Sequence, residues 1–435
     1  VLFRSVVGTS GKANVGDGRL GTSGLRMKVD PAAEWAQIFV EAWRFHRDYF
    51  YVDNLHGSDW DAVRRRYEPL VAHVSHRSDL AHLIDVVGGE IAVGHSFVGG
   101  GDTPDVDSVP GGLLGADYAI ENGRYRIANI IEGEPWNPNL DAPLGVPGLD
   151  VHEGDYIVGV NGVELTADTN IYSAFERTAG RQTRIHVNSE PTMEGARVVT
   201  VVPVGNEFAL RQRAWMEANR RKVDEMSDGR LAYVWLPDTG GGGYTNFNRY
   251  YFAQQDREGA VIDERFNGGG SAADYMVDIM ARDLQAFFNN PIGDRKPFTA
   301  PQAGIFGPKV MIINESAGSG GDMLPWLFRN MDIGPLVGTR TWGGLVGIWD
   351  YPALIDGGII TIPRGGFYTV EGEWRVENEG VAPDIEVEIH PKDFVEGRDP
   401  QLERAVNEAL RLLETQGAPT IVPEPPGPIR AKRAQ

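Results

Sequence analysis

Ser319 lies in the run Lys309-Val-Met-Ile-Ile-Asn-Glu-Ser-Ala-Gly-Ser-Gly-Gly-Asp322, where a short apolar stretch gives way to small residues. The pattern reads as a buried strand, a sharp turn and the start of a helix. Glycines on both sides of the serine let the chain turn tightly and leave its hydroxyl uncrowded. The backbone N–H groups that follow, beginning with Gly320, would face an oxyanion formed at that hydroxyl, aided by the partial positive charge of a helix N-terminus. On the local pattern alone, simple capping by Ser316 and Ser319 weighs as much as catalysis, because serine is a common N-cap residue.

A second candidate is Asp263-Glu-Arg-Phe-Asn-Gly-Gly-Gly270, in which three glycines directly follow a strand-like run. Unobstructed N–H groups there suit a further oxyanion donor or a phosphate cradle. The Lys-Ser/Thr ending of a Walker loop is missing, and the spacing is not G-x-G-x-x-G. With 55 glycines in 435 residues, a glycine triplet is a weak signal by itself.

A serine hydroxyl needs a base before it becomes a good nucleophile. No lysine occurs between Lys309 and Lys392, where a Ser-Lys hydrolase would usually supply one, which favours histidine. Of the nine histidines, His95 stands out in the strand-like stretch Gly89-Glu-Ile-Ala-Val-Gly-His-Ser-Phe-Val98. His73, His76 and His82 lie in helical segments and read as surface or locally satisfied groups.

Bulk composition narrows the chemistry further. The formal net charge is −20, from 61 acidic and 41 basic residues, so phosphate backbones and anionic lipid are repelled and nucleic-acid or membrane binding is disfavoured. Cysteine is absent, which removes thiol nucleophiles, disulfides and zinc-thiolate sites and fits a reducing, cytoplasmic setting. No apolar run approaches the ~18 residues needed to span a bilayer.

The elements that must position these residues fall into three regions. Residues 1–30 are Gly- and Ser-rich at first and read as disordered, or as the end of an upstream domain with a last strand near Gly21–Val29. Helical periodicity opens at Pro31, with Trp35, Ile38, Phe39, Ala42, Trp43 and His46 on one face. Helices are also expected over Asp59–Tyr67 and Ser78–Val87, with Ser78 as N-cap and a break at Gly88–Gly89. Residues 31–110 thus form a helical segment carrying His95. Residues 111–204 are β-rich, with strands at Tyr125–Ile131 and Thr183–Val187, a tight hairpin in "GDYIVGVNGVEL" and a helix near Ile171–Thr178. That hairpin resembles the corresponding one of PDZ domains. Residues 205–415 alternate strands (Leu231–Leu236, Ala260–Asp263, Lys309–Asn314) with helices (Ala272–Asp283, Gly320–Asn330), which argues for a parallel α/β layer. A last helix starts at Asp399-Pro400, and residues 416–435 read as a Pro-rich mobile tail.

Four runs in order, "RFNGGG", "NESAGSGGD", "GPLVGTRTWGGLVG" (334–347) and "RVENEGVAPD" (375–384), resemble the peptidase half of the tricorn protease family, related to the C-terminal processing peptidases. The resemblance runs from about Lys28 to Glu414. It implies a multidomain α/β architecture: an N-terminal helical segment, a PDZ-like β-rich domain and a crotonase-like α/β peptidase domain. It further implies a serine peptidase acting on peptides or oligopeptides, with no cofactor and no metal. By the family's motifs Ser319 would be the nucleophile, His95 the general base and Glu377 the acid completing the charge network. Gly268, Gly269 and Gly320 would supply the oxyanion donors, and Asp294 falls in the stretch of a pocket acid that selects basic side chains. The family also implies a homo-oligomer, with a hexamer as the candidate size. Where its catalytic set has a serine directly before the histidine, this chain has Gly94, with Ser96 on the other side; a water bridging His95 to Glu377 is one replacement. Two other readings share parts of the pattern: a catalytically impaired PDZ-type peptide-binding scaffold, and an acyl-CoA enzyme of crotonase type, which would not explain the PDZ-like insertion or Glu377.

Overall fold

The structure, a computed structural model, describes residues 21, 24–134, 136–293, 295–349, 351–419, 425 and 427. Most of the segments expected to be disordered, mobile or part of an upstream domain lie outside that set, as does Asp294. The chain divides into two compact units, one of residues up to Thr103 with Gly347–Gly366, the other of Pro104–Val346 with Phe367 onwards.

In the first unit the helix Pro31–Tyr49 starts as the sequence suggests: Asp30 accepts the Ala32 N–H at 3.1 Å, Pro31 opens the first turn, and Ile38, Phe39, Ala42, Trp43, Phe45 and His46 are buried. A second helix, Trp60–Tyr67, is capped by Asp59. The two are locked by reciprocal bonds, the Trp43 indole donating to the Trp60 carbonyl at 2.8 Å and the Trp60 indole to that of Trp43 at 2.9 Å. The third helix runs Arg77–Gly89, so it begins earlier than expected and passes through Gly88–Gly89. His76, not Ser78, caps it: His76 accepts the Ser78 N–H, while Asp79 accepts the His76 N–H. Capping by an imidazole has no strong sequence signal, whereas Ser78 carried the usual one.

The segment Gly347–Gly366 completes this unit from far along the chain. Its strand Ile359–Ile360 pairs antiparallel with Val98–Gly99, and Asp356 reaches Arg77 at 2.5 Å with both side chains almost wholly buried.

In the second unit the PDZ-like region is an antiparallel sheet ordered Ala116–Glu121, Arg124–Ile130, Tyr156–Val160, Thr183–Asn188, Arg197–Val201. Asn122-Gly123 and Asn161-Gly162 both take positive φ, as two-residue hairpin turns require. Ile127, Ile157, Ile185, Val187 and Phe175 fill its core. The expected helix at 171–178 is only Ile171–Ala174.

The helix Phe208–Met226 leads from there into a five-stranded parallel sheet ordered Ile385–Glu386, Leu336–Gly338, Lys309–Ile313, Gly259–Asp263, Leu231–Trp235. Every residue of the three longer strands is buried, as expected where helices cover both faces of a parallel sheet. Helices occupy Gly241–Ala253, Ala273–Met280, Gly320–Asn330 and Pro400–Gln416. Arg265 fastens the last of these: its guanidinium bonds Asp263 at 2.7 Å and Asp399, the helix N-cap, at 2.9 Å. Among the described residues, no helix is long and apolar enough to cross a membrane.

The Arg77–Asp356 pair yields a test of the first unit. Asp356→Ala leaves a guanidinium buried without its counter-charge, and such a loss costs about 3–5 kcal/mol. Urea denaturation followed by tryptophan fluorescence should show a drop of that size; a drop under about 1 kcal/mol would contradict the pair's structural role.

Candidate active site

Lys309–Ile313 and Gly259–Asp263 are neighbouring parallel strands, and the two glycine-rich runs singled out in the sequence leave their C-terminal ends. Ligand sites of open α/β sheets gather at such ends. Ser319 sits in the first turn with φ 58° and ψ −116°, immediately before the helix Gly320–Asn330. A non-glycine residue there is strained by about 1–3 kcal/mol. Its carbonyl accepts the N–H groups of Asp322 and Met323 at 2.9 and 3.0 Å, so the backbone itself satisfies part of the helix start.

The second turn packs directly on the first. Gly269 has φ +84°, and a Cβ on it would lie 2.6 Å from the Ser319 Cβ. A Cβ on Gly320 would lie 2.0 Å from Thr239 Oγ1 and 2.4 Å from the Gly270 carbonyl. Both positions therefore need glycine for reasons of space. Ser319, Gly269 and Gly320 are brought together. The Gly268 N–H donates to the Pro237 carbonyl at 2.9 Å and the Gly269 N–H to Asn267 Oδ1 at 2.9 Å. The N–H groups of Gly270 and Gly320 have no hydrogen-bond partner among the described residues.

Asp322 holds the Ser319 turn in place. One carboxylate oxygen accepts the Thr341 hydroxyl at 2.5 Å and the Gly343 N–H at 2.8 Å; the other accepts the Ser319 N–H at 2.9 Å and the Gly344 N–H at 3.1 Å. Burial pushes its carboxyl above the ordinary range, while these donors pull the other way. Glu377 continues the pattern along the same loop, one oxygen accepting the N–H groups of Leu345 and Val346, each at 2.7 Å. Four consecutive amides, Gly343 to Val346, are thus held by two carboxylates. Glu377 is flanked by Val376 and Asn378 at φ +75° and +61°, an uncommon conformation for a β-branched residue.

His95 belongs to the first unit. The strand-like reading of 89–98 is replaced by a turn: only Val98–Gly99 is strand, and His95 has φ +65°. The Thr361 hydroxyl donates to the His95 carbonyl at 2.5 Å and accepts the Phe97 N–H at 2.9 Å, fixing the turn from both sides. Ser96 is committed elsewhere, its hydroxyl 2.9 Å from His46 Nε2. With His46 Nδ1 2.9 Å from the Ala42 carbonyl, Nδ1 donates and Nε2 accepts. Burial lowers the His46 pKa, keeping that ring neutral.

Several residues here were passed over in the sequence. Asp322 stood within the quoted run, and Ser-x-x-Asp before an apolar stretch is a capping-box signal that marks it. Trp342 is 46% exposed, and its ring packs so closely on the neighbouring turn that a Cβ on Gly318 would sit 2.5 Å away. Glu264, directly after the strand Gly259–Asp263, is fully buried, and neither carboxyl oxygen has a hydrogen-bond partner among the described residues. Burial, reinforced by Asp322 and Asp263, raises its pKa well above the usual carboxyl range. Among the described residues no group of three or more His, Asp or Glu side chains is arranged to hold a metal ion.

Three family models match in succession: tricorn protease C1 domain over residues 31–88, tricorn protease PDZ domain over 112–206 and peptidase family S41 over 230–387. The chain is 38% identical over 400 residues to tricorn protease homolog 1 of Streptomyces coelicolor, covering 91% of this chain and 37% of that protein. It is 34% identical over 382 residues to the tricorn protease of Thermoplasma volcanium, covering 88% of this chain and 37% of that protein. A crystal structure of the tricorn protease superposes with a TM-score of 0.85 at 30% identity, over 91% of this chain and 38% of that one. The chain therefore spans under two fifths of the length of these relatives.

Glu264 gives a test with a definite sign. In the unfolded chain this carboxyl ionises in the ordinary range, and in the folded chain only well above it, so rising pH favours unfolding across the interval between. Glu264→Gln should match the parent near pH 4 and exceed it in stability at pH 7–8, the gap widening by up to about 1.4 kcal/mol per pH unit. A gap that is flat with pH, or that closes as pH rises, contradicts a protonated Glu264.

Proposed function

The chain belongs with the tricorn proteases of the S41 peptidases, and we propose that it hydrolyses peptide bonds through an acyl-enzyme on Ser319. The observation that carries this reading is the strained Ser319 at the N-terminus of an 11-residue helix, packed against a glycine turn. His95 takes the hydroxyl proton as Ser319 Oγ bonds to the substrate carbonyl carbon. The Gly320 N–H and the Gly268–Gly270 turn stabilise the oxyanion. For Gly268 and Gly269 this requires their present N–H bonds to loosen when substrate binds; Gly270 and Gly320 need no such change. The protonated His95 then hands its proton to the departing amine, the C–N bond breaks, and a water activated by His95 releases the acid. Glu377 fits the role of the acid that stabilises the charged imidazole, and it also braces the 343–346 loop.

The engagement of Ser96 with His46 supports water rather than Ser96 as the replacement for the family serine lost at Gly94. The domain limits 31–110, 111–204 and 205–415, a cytoplasmic setting and a homo-oligomeric assembly, with a hexamer as its candidate size, are part of the same proposal, resting on the family relationship. The scaffold reading has no comparable support, because the nucleophile turn and its carboxylate anchors are intact.

Turnover of fluorogenic peptide substrates tests the proposal. Ser319→Ala should cut the rate by at least about 10³-fold, and His95→Gln by a similar factor. A Ser319→Ala chain that keeps the parent rate refutes the assignment.

A further inference from the structure

The PDZ-like sheet leaves the strand Ala116–Glu121 at its edge, where among the described strands it pairs with Arg124–Ile130 alone. Domains of this architecture take extended peptides by adding a strand to an open edge, and backbone N–H groups can seat a terminal carboxylate. The matching groove lies between residues 112–114 of the preceding loop, Ala116 and Tyr118 of the edge strand, and Ile171, Tyr172 and Phe175. It holds only about 10 Å³ of free space, room for about one water molecule and none for a peptide.

The chain itself fills it. Glu207, at the entry to the helix Phe208–Met226, also lines the groove, and the Gly115 N–H donates to its Oε2 at 2.9 Å. Arg211, one turn on, bonds Glu207 Oε1 at 2.8 Å, Asp117 Oδ1 at 2.7 Å and the Ala116 carbonyl at 3.2 Å. The carboxylate seat and a carbonyl of the edge strand are therefore both engaged. Leu210 closes the loop from the same side, 3.6 Å from where a Cβ on Gly115 would be. The Glu207 side chain is 11% exposed, so it is seated rather than resting on the surface.

We propose that Glu207 occupies the carboxylate seat of this groove as an internal ligand, so that the domain is closed to peptide C-termini until Glu207 leaves. The ligand class excluded is a peptide with a free terminal carboxylate and apolar last residues, matching the Leu114, Ile171 and Phe175 side chains around the seat. The helix Phe208–Met226 then gains a second role, pinning the PDZ-like sheet to the element that enters the α/β layer. This inference is independent of the peptidase reading, since nothing in it involves Ser319.

Fluorescence polarisation with a fluorescein-labelled hexapeptide ending in Ala-Val-Leu tests it, using the free acid and the C-terminal amide. Ser319→Ala serves as parent so that the probe is not consumed. The parent should bind acid and amide equally weakly. Adding Glu207→Ala should tighten the acid by at least about tenfold and leave the amide unchanged, because only the acid replaces the lost carboxylate. If Glu207→Ala does not fold by circular dichroism, Glu207→Gln, which keeps the volume and gives up the charge, is read by the same criterion with an expected gain of about threefold. A parent that already prefers the acid tenfold overturns the proposal, as does a folded variant that gains no preference for it.

Discussion

A buried carboxylate that must collect every donor within reach organises the centre of this molecule. Asp322 is wholly removed from solvent, and an ionised carboxyl in such a place survives only with its lone pairs filled. Its four partners come from the strained turn at Ser319 and from Thr341, Gly343 and Gly344. Satisfying one charge thus ties the start of a helix to a loop some twenty residues on. Thr341 extends the tie by accepting the Val381 N–H at 2.8 Å, and Glu377 carries it to Val346. The glycines follow from the same constraint: Gly269 and Gly320 stand where any side chain would force the two turns apart.

The neighbouring Glu264 shows the other outcome for a buried acid. It has no donors, and burial reinforced by Asp322 and Asp263 raises its pKa well above the usual carboxyl range, whereas at Asp322 four donors offset part of the same push. Two carboxyls a short distance apart in a dry interior separate in this way because both cannot ionise cheaply.

Much of this was legible in the sequence, and for identifiable reasons. Lys309–Ile313, Gly320–Asn330 and the Asp399-capped final helix are local features, written in apolar runs, small residues and caps. The Ser319 turn could be placed from glycines alone. The turn at His95 reads as strand in the sequence, because a histidine at positive φ leaves no mark comparable to glycine. The joining of Gly347–Gly366 to the helical unit depends on a pairing across more than two hundred and fifty residues, Val98 with Ile360, and on a single ion pair, Arg77 with Asp356. No periodicity announces either. Asp322 was in view throughout, yet its weight comes from donors scattered over Ser319 to Gly344, and only folding assembles them. Glu207 was likewise invisible: an acid at a helix start is ordinary until the Gly115 N–H is found beneath it.

The central claim, that a carboxylate-braced turn makes Ser319 the reactive group of this chain, is tested most directly by covalent labelling with a fluorophosphonate, followed by peptide mapping in a mass spectrometer. The account predicts a single adduct, on the peptide containing Ser319, that disappears in Ser319→Ala. A folded chain that carries the label on another residue, or on none, would contradict it.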